Sequence, residues 1–214
     1  MNYKQEVIDA GIKMLRTGAT IGAWGNISVR DHETGSVYIT PSGMPYDSLT
    51  EDDIIVMAQD GTILEGKRKP SIEKDLHLAV YSARTDVYAV IHTHPIYSTA
   101  FSSMGEGIPL LLDEAAQVLG APVRTAKYAL PGSIELAENC VEALGDKAMA
   151  CLLQSHGAVC VGVSIDKAFT VSSVLEATAR IYYLIRSMNG QYRPISEADI
   201  EYMQDFIRNR YGQR

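Results

Sequence analysis

Val87-Tyr88-Ala89-Val90-Ile91-His92-Thr93-His94 is the stretch around which the rest of the chain is arranged. Its first five residues are largely apolar and rich in β-branched side chains, which predicts a short buried strand. Successive side chains of a strand point to opposite faces, so His92 and His94 leave on one face, one pleat repeat apart. Two imidazoles so placed can share one metal ion. His156 follows a second apolar strand, Ala150 to Leu153, just before Gly157, and Glu73 falls in the first turn of an amphipathic helix upstream. Three imidazoles and one carboxylate suit zinc, and they also accommodate manganese, iron or cobalt. A lone H-x-H arises by chance on many strand ends. Here three of only five histidines sit at strand ends that run into Pro95 or Gly157, where loops turn side chains into clefts.

The helix carrying Glu73 opens at Lys69-Pro70-Ser71-Ile72 with Ser71 as its N-cap and runs through Arg84, burying Leu76, Ala79 and Val80. His77 lies four residues after Glu73, on the same face. It is either half of a rival metal pair or a packed, hydrogen-bonded histidine that supports the site. The second is preferred, because the strand-borne pair offers a better shared focus.

Upstream, residues 3 to 17 repeat apolar side chains at helical spacing and predict a helix packed on a sheet. Gly22-Ala23-Trp24-Gly25-Asn26 then forms a glycine-rich loop entering an alternating strand, Ile27 to Arg30. Val37 to Ile39 is a further strand, running into the small-residue loop Thr40-Pro41-Ser42-Gly43. Leu49 to Asp53 reads as a short helix or turn, and Ile54 to Met57 with Thr62 to Leu64 as a hairpin across Asp60-Gly61. After Pro95 a helix extends to about Ser103. Ile108 to Leu112 reads as a strand ending in Asp113-Glu114, two carboxylates that are either the solvated first turn of a helix or acid/base groups; the local sequence favours the former. Residues 133 to 144, 164 to 188 and 196 to 210 are amphipathic helices with Ser133, Ser164 and Ser196 as N-caps.

At 214 residues and 46% hydrophobic, the chain is long enough for one substantial core and short for two, so residues 1–214 are read as a single domain. A net charge of -7 without a basic run excludes nucleic acid as a partner. The charges scattered through the first sixteen residues exclude a signal peptide or membrane anchor, and no later stretch is long enough to span a membrane. Cys140, Cys151 and Cys160 form no CxxC pair and read as buried thiols of a reduced, cytoplasmic compartment. A thiolate ligand is disfavoured because nothing near them in sequence lowers their pKa.

Taken in order, Gly25-Asn26-Ile27-Ser28, Thr40-Pro41-Ser42-Gly43, Pro70-Ser71-Ile72-Glu73, His92-Thr93-His94 and His156-Gly157 resemble the class II aldolase/epimerase family, nearest its fuculose-phosphate-aldolase branch. The resemblance spans nearly the whole chain. It implies a three-layer α/β/α sandwich around a mixed, largely antiparallel sheet, assembled as a homotetramer with active sites between subunits. It implies His92, His94 and His156 as metal ligands, with Glu73 as fourth ligand or catalytic base. Asn26, Ser42, Gly43 and Ser71 match the positions that hold the phosphate of a small phosphorylated sugar. The implied reaction is reversible cleavage of a ketose 1-phosphate to dihydroxyacetone phosphate and a small aldehyde through a metal-stabilised enediolate. No lysine lies inside an apolar strand, which disfavours an imine as the electron sink.

Three departures qualify the likeness. Ile72 stands where aldolases of the family commonly have a second serine, and Ala23 where they carry a threonine. Asp113 stands where they use a tyrosine of the neighbouring subunit to protonate the leaving aldehyde, which raises Asp113 or Glu114 as the acid. Tyr211-Gly212 resembles the family's C-terminal Tyr-Gly, whose tyrosine assists proton transfer; an exposed surface tyrosine is the alternative. The same metal site also suits a sugar-phosphate 4-epimerase or a decarboxylase of a sugar-acid phosphate. The family's non-catalytic members, such as the adducin head, lack the metal residues that this chain retains. A cupin-type oxygenase also uses H-x-H with a glutamate, but there the glutamate follows within a few residues.

Overall fold

The computed structural model describes residues 2–212. Its centre is the predicted strand, β5 (Ala89–Thr93), every residue of which is buried. β1 (Asn26–Arg30) pairs antiparallel with one edge of β5, and β8 (Gly157–Gly162) with the other. β2 (Val37–Ile39), β3 (Ile55–Met57) and β4 (Ile63–Glu65) extend the sheet outward from β1; β7 (Ala150–Leu153) and β6 (Thr125–Ala126) extend it from β8. The strand order is β4-β3-β2-β1-β5-β8-β7-β6, with only the β6–β7 pair parallel. The sheet is therefore mixed and largely antiparallel, as expected.

Helices cover both faces. α2 (Lys74–Ala83) and α5 (Ile134–Leu144) pack against one face, where Leu76, Val80, Leu136 and Cys140 meet Val37, Val90, Val159 and Val161. α1 (Tyr3–Arg16), α3 (Ile96–Ser103), α4 (Asp113–Val118) and α6 (Ile165–Ser187) lie on the other, and α7 (Glu197–Asn209) packs on α4. Asn2, Ser133, Ser164 and Ser196 each cap a helix N-terminus with a side-chain oxygen, the last three as expected. Among the described residues no helix is long and apolar enough to cross a membrane.

Several boundaries differ from the sequence reading. Residues 108 to 112 form no strand; a single bridge joins Ile108 to Val123, and the segment covers the edge of the core as extended chain. The helix after Ser71 begins only at Lys74, so Glu73 is its N-cap residue rather than part of its first turn. Ser71 is not that cap, although its Oγ accepts the Glu73 N–H at 3.2 Å. β8 and the two-residue β6 were not anticipated: an all-apolar run beginning at glycine carries no alternation, and two residues carry no period.

The glycine-rich loop has a packing reason. Gly25 adopts φ +76°, and a Cβ there would lie 2.5 Å from the carbonyl oxygen of His92. Gly11, inside α1, leaves room for the Tyr46 ring, whose hydroxyl donates to the Gly25 carbonyl at 2.6 Å. Gly25→Ala is expected to destabilise the protein by roughly 2–4 kcal/mol, combining left-handed strain with the backbone clash. For a chain of this size that lowers the thermal midpoint by roughly 5–15 °C. An unchanged midpoint in a thermal melt would contradict the close approach of the two strands.

Candidate metal centre and cleft

The histidine cluster is built where β5 ends and β8 begins. His92 is fully buried, and its Nδ1 lies 3.0 Å from the Ala158 carbonyl. A carbonyl only accepts, so Nδ1 donates to it and Nε2 is the atom turned toward the cluster. The Nε2 atoms of His94 and His156 lie 2.9 Å and 3.2 Å from it. Glu73 adds its carboxylate, with Oε2 3.4 Å from His92 Nε2 and Oε1 3.6 Å from His156 Nε2.

With neutral imidazoles that turn lone pairs inward, a shared cation would remove the repulsion among these atoms. Two nitrogens each about 2.0–2.1 Å from a tetrahedral ion sit about 3.3 Å apart, close to the spacing of the cluster. Glu73 Oε1 is buried and has no hydrogen-bond partner. This donor set of three imidazoles and a carboxylate fits a divalent metal, and the three histidines alone bring their ligand atoms within 4.8 Å of one another.

Backbone contacts fix each ligand. The His94 N–H donates to the Ala19 carbonyl at 2.8 Å. α3, which starts two residues later with no side-chain cap of its own, is capped by Glu176 of α6: Oε1 accepts the Tyr97 N–H, and Oε2 accepts the N–H and hydroxyl of Ser98. His156 closes the turn between β7 and β8, where Ser155 takes a left-handed conformation with φ +55°. Gly157 lets the strands close around the cluster, since a Cβ there would meet the Thr93 carbonyl at 2.4 Å and the His94 ring at 2.8 Å.

Burial dominates the electrostatics. It pushes His94 down to about 3 and His156 down to about 4, with the neighbouring histidines adding to the effect. His77, fully buried, is pushed to about 3 by burial and then by His92. For Glu73 burial acts upward, but His92, His156 and the Asn26 amide outweigh it and hold the carboxyl below its ordinary range. Burial pushes Cys160 upward, and the adjacent Cys151 with burial does the same to Cys140, so neither offers a thiolate.

A cavity of about 560 Å³ opens over the cluster. Asn26, Ser42, Gly43, Ser71, Glu73 and His94 line it, so sequence positions far apart converge. The Asn26 amide is committed to protein partners, Nδ2 donating to Glu73 Oε2 at 2.8 Å. Among the described residues the N–H groups of Gly43 and Ile72 have no hydrogen-bond acceptor in the protein. Ile72 and Trp24 form exposed apolar walls at the mouth.

Asp113, Glu114 and Tyr211 do not line this cavity. The two carboxylates are exposed in the first turn of α4, and Tyr211 is exposed beyond α7, against Phe206. His77 hydrogen-bonds to Asn26 and Ser28, as a supporting histidine should, and lies outside the cluster. The sequence reading missed Glu176, for which a glutamate in the middle of a helix gives no signal. It also missed Tyr81, for which a signal existed: Glu73, His77 and Tyr81 recur every four residues on one face.

Comparison with known proteins bears on the family and the fold. Residues 5–183 match the family described as class II aldolase and adducin N-terminal domain. The chain is 37% identical over 198 residues to a 5-deoxy-D-ribulose 1-phosphate aldolase of Bacillus thuringiensis serovar kurstaki, covering 92% of each. It is 34% identical over 196 residues to an L-fuculose phosphate aldolase of Escherichia coli strain K12, covering 92% of this chain and 89% of that one. A solved L-fuculose 1-phosphate aldolase superimposes with a TM-score of 0.92 at 36% identity, covering 97% of this chain and 96% of the other. The protein belongs to the class II aldolase and adducin N-terminal domain family.

The depressed histidines give a pH signature. In the unfolded chain each titrates near 6.5, so unfolding takes up protons wherever the pH lies between that value and the folded one. Their contribution to stability is complete above about pH 6.5 and shrinks as the pH falls. In chelator, the thermal midpoint is expected to be level from pH 8 to 7 and to decline steadily from pH 6.5 toward 4. A midpoint independent of pH across that range would argue against neutral buried imidazoles.

Proposed function

We propose that the protein is a metal-dependent aldolase that reversibly cleaves a ketose 1-phosphate into dihydroxyacetone phosphate and a small aldehyde. The observation that carries this reading is the convergence of three imidazole Nε2 atoms on a buried carboxylate at 2.9–3.6 Å. Family membership includes non-catalytic adducin domains, which have no use for such a donor set. The names of the aldolase relatives support sugar phosphates as the substrate class.

His92, His94 and His156 would hold the ion, with Glu73 as fourth ligand or base, and zinc is the metal we assign to them. A bound divalent ion supplies Lewis-acid stabilisation of the negative charge left when the carbon–carbon bond opens. Glu73, held ionised, exchanges the proton at the carbon beside the substrate carbonyl. The free N–H groups of Gly43 and Ile72, with the hydroxyls of Ser42 and Ser71, hold the phosphate and fix that end of the substrate. Asn26, a phosphate position by resemblance, also holds Glu73 through one of its two amide hydrogens.

The acid for the leaving aldehyde is missing from the cleft of one protomer. Asp113, Glu114 and Tyr211 are exposed, alongside the large exposed apolar side chains Leu130, Ile134 and Tyr202. We assign these groups to the cleft of a neighbouring subunit in a cytoplasmic homotetramer, so that each site is completed across an interface. Sedimentation equilibrium should return the mass of four chains; a monomer with full activity would refute the shared site.

The decisive assay offers a panel of ketose 1-phosphates, including L-fuculose 1-phosphate and 5-deoxy-D-ribulose 1-phosphate, with and without chelator. Release of dihydroxyacetone phosphate that chelator abolishes is expected. His94→Ala should remove metal and lower turnover by at least about 10³-fold while the fold stays intact. Metal binding without cleavage of any substrate would instead point to epimerisation or decarboxylation at the same site.

A further inference from the structure

β1 carries its polar residues, Asn26 and Ser28, on the face turned toward α2, whose facing stripe is Glu73, His77 and Tyr81. These side chains join in one chain of hydrogen bonds. Asn26 Nδ2 lies 2.8 Å from Glu73 Oε2, His77 Nε2 2.5 Å from Asn26 Oδ1, Ser28 Oγ 2.6 Å from His77 Nδ1 and 2.8 Å from Tyr81 Oη. All five residues are at most 5% exposed, and only Asn26 and Glu73 among them line the cleft, so at His77, Ser28 and Tyr81 water does not replace a missing partner.

The direction of every bond follows from one end. An ionised carboxylate only accepts, so Asn26 turns its Nδ2 toward Glu73. Its Oδ1 therefore faces His77, whose Nε2 must carry the hydrogen. Burial pushes His77 down to about 3, so the ring is neutral and its Nδ1 accepts: Ser28 donates to it, and Tyr81 donates to Ser28. Turned over, the Asn26 amide would set oxygen against the carboxylate and N–H against N–H. The first mismatch decides the orientation, because the imidazole can meet a turned amide by carrying its proton on Nδ1, whereas an ionised carboxylate can only accept.

We propose that His77 is a positioning residue: a neutral imidazole, protonated on Nε2, that locks the Asn26 amide and through it the Glu73 carboxylate. Oε2 is thereby tethered, and Oε1 stays unpartnered beside His156. The inference rests on the reading of Glu73 and the histidines as a metal centre. A fully apolar contact between β1 and α2 would satisfy packing alone; a polar chain with one consistent direction specifies an orientation.

The test compares His77→Gln, His77→Asn and His77→Leu. Glutamine can put an N–H where Nε2 stands, asparagine reaches only to the Nδ1 position, and leucine offers neither. Each protein is stripped and loaded with cobalt(II), and affinity is measured by competition with a chromophoric chelator alongside the visible spectrum of the bound ion. His77→Asn and His77→Leu are expected to weaken cobalt binding about tenfold or more and to change the spectrum. They should lower kcat with KM within about twofold of the unaltered protein, while His77→Gln stays close to it on every measure.

Unchanged affinity and spectrum in folded His77→Asn, or a His77→Gln protein as impaired as His77→Leu, overturns the proposal. If those variants fail to fold, Ser28→Ala is read in their place, because it removes the hydroxyl that holds the imidazole at Nδ1; an unaltered cobalt spectrum there overturns it too. Failure of the unaltered protein to bind cobalt removes the metal reading and this inference with it. Binding that the variants reproduce removes the inference alone.

Discussion

The crowding of three imidazole Nε2 atoms and a buried carboxylate within 2.9–3.6 Å is the constraint around which this structure is built. Such groups separate unless something forces them together and a cation balances them. The force comes from the sheet. β5 and β8 are paired over five residues, so His92 cannot retreat without breaking the ladder, and the Ala158 carbonyl fixes its ring. Gly157 and Gly25 remove the two Cβ atoms that would hold the flanking backbones away from the cluster.

The second requirement is a carboxylate delivered from outside the sheet, and β1 and α2 meet it together. From Asn26 to Arg30 a strand advances about 13 Å, and from Glu73 to Tyr81 a helix advances about 12 Å. The two elements can therefore match polar group to polar group along their length. Asn26 and Ser28 engage the first two turns of the helix. Arg30, buried, donates to the carbonyls of Tyr81, Arg84, Thr85 and Val87 and so satisfies its C-terminal end. The helix is gripped at both ends by one strand, and its N-cap residue is left at the metal centre, where the positive end of the helix dipole favours a carboxylate.

The open side of the cluster has the opposite character. The histidines and Glu73 come from the sheet, its β7–β8 turn and a gripped helix, whereas Ser42, Gly43 and Ile72 come from loops, in which the N–H groups of Gly43 and Ile72 have no acceptor among the described residues. Rigid placement suits charge stabilisation, which loses strength if donors must reorganise.

Periodicity and motif order made much of this legible before any tertiary contact was known. His92 and His94 share a face because strands alternate, and the serine caps of α5, α6 and α7 mark where orphan N–H groups need an oxygen. The alternation Asn26-Ile27-Ser28-Val29-Arg30 was open to the reading of a strand with one wet face, yet all five residues are buried. Residues 108–112 have the composition of a strand but find no partner beyond one bridge. Glu176, capping α3 from another helix, left no trace in the sequence at all. The sequence by itself determined which side chains could serve as ligands and which local elements would carry them, because those depend on chemistry and short-range period. Only the tertiary structure decided that β1's polar face is covered by α2, that Asn26 turns to Glu73, and that Asp113, Glu114 and Tyr211 stand away from the cleft. Those outcomes depend on which surfaces exclude water, and that is a property of the assembled layers rather than of any segment.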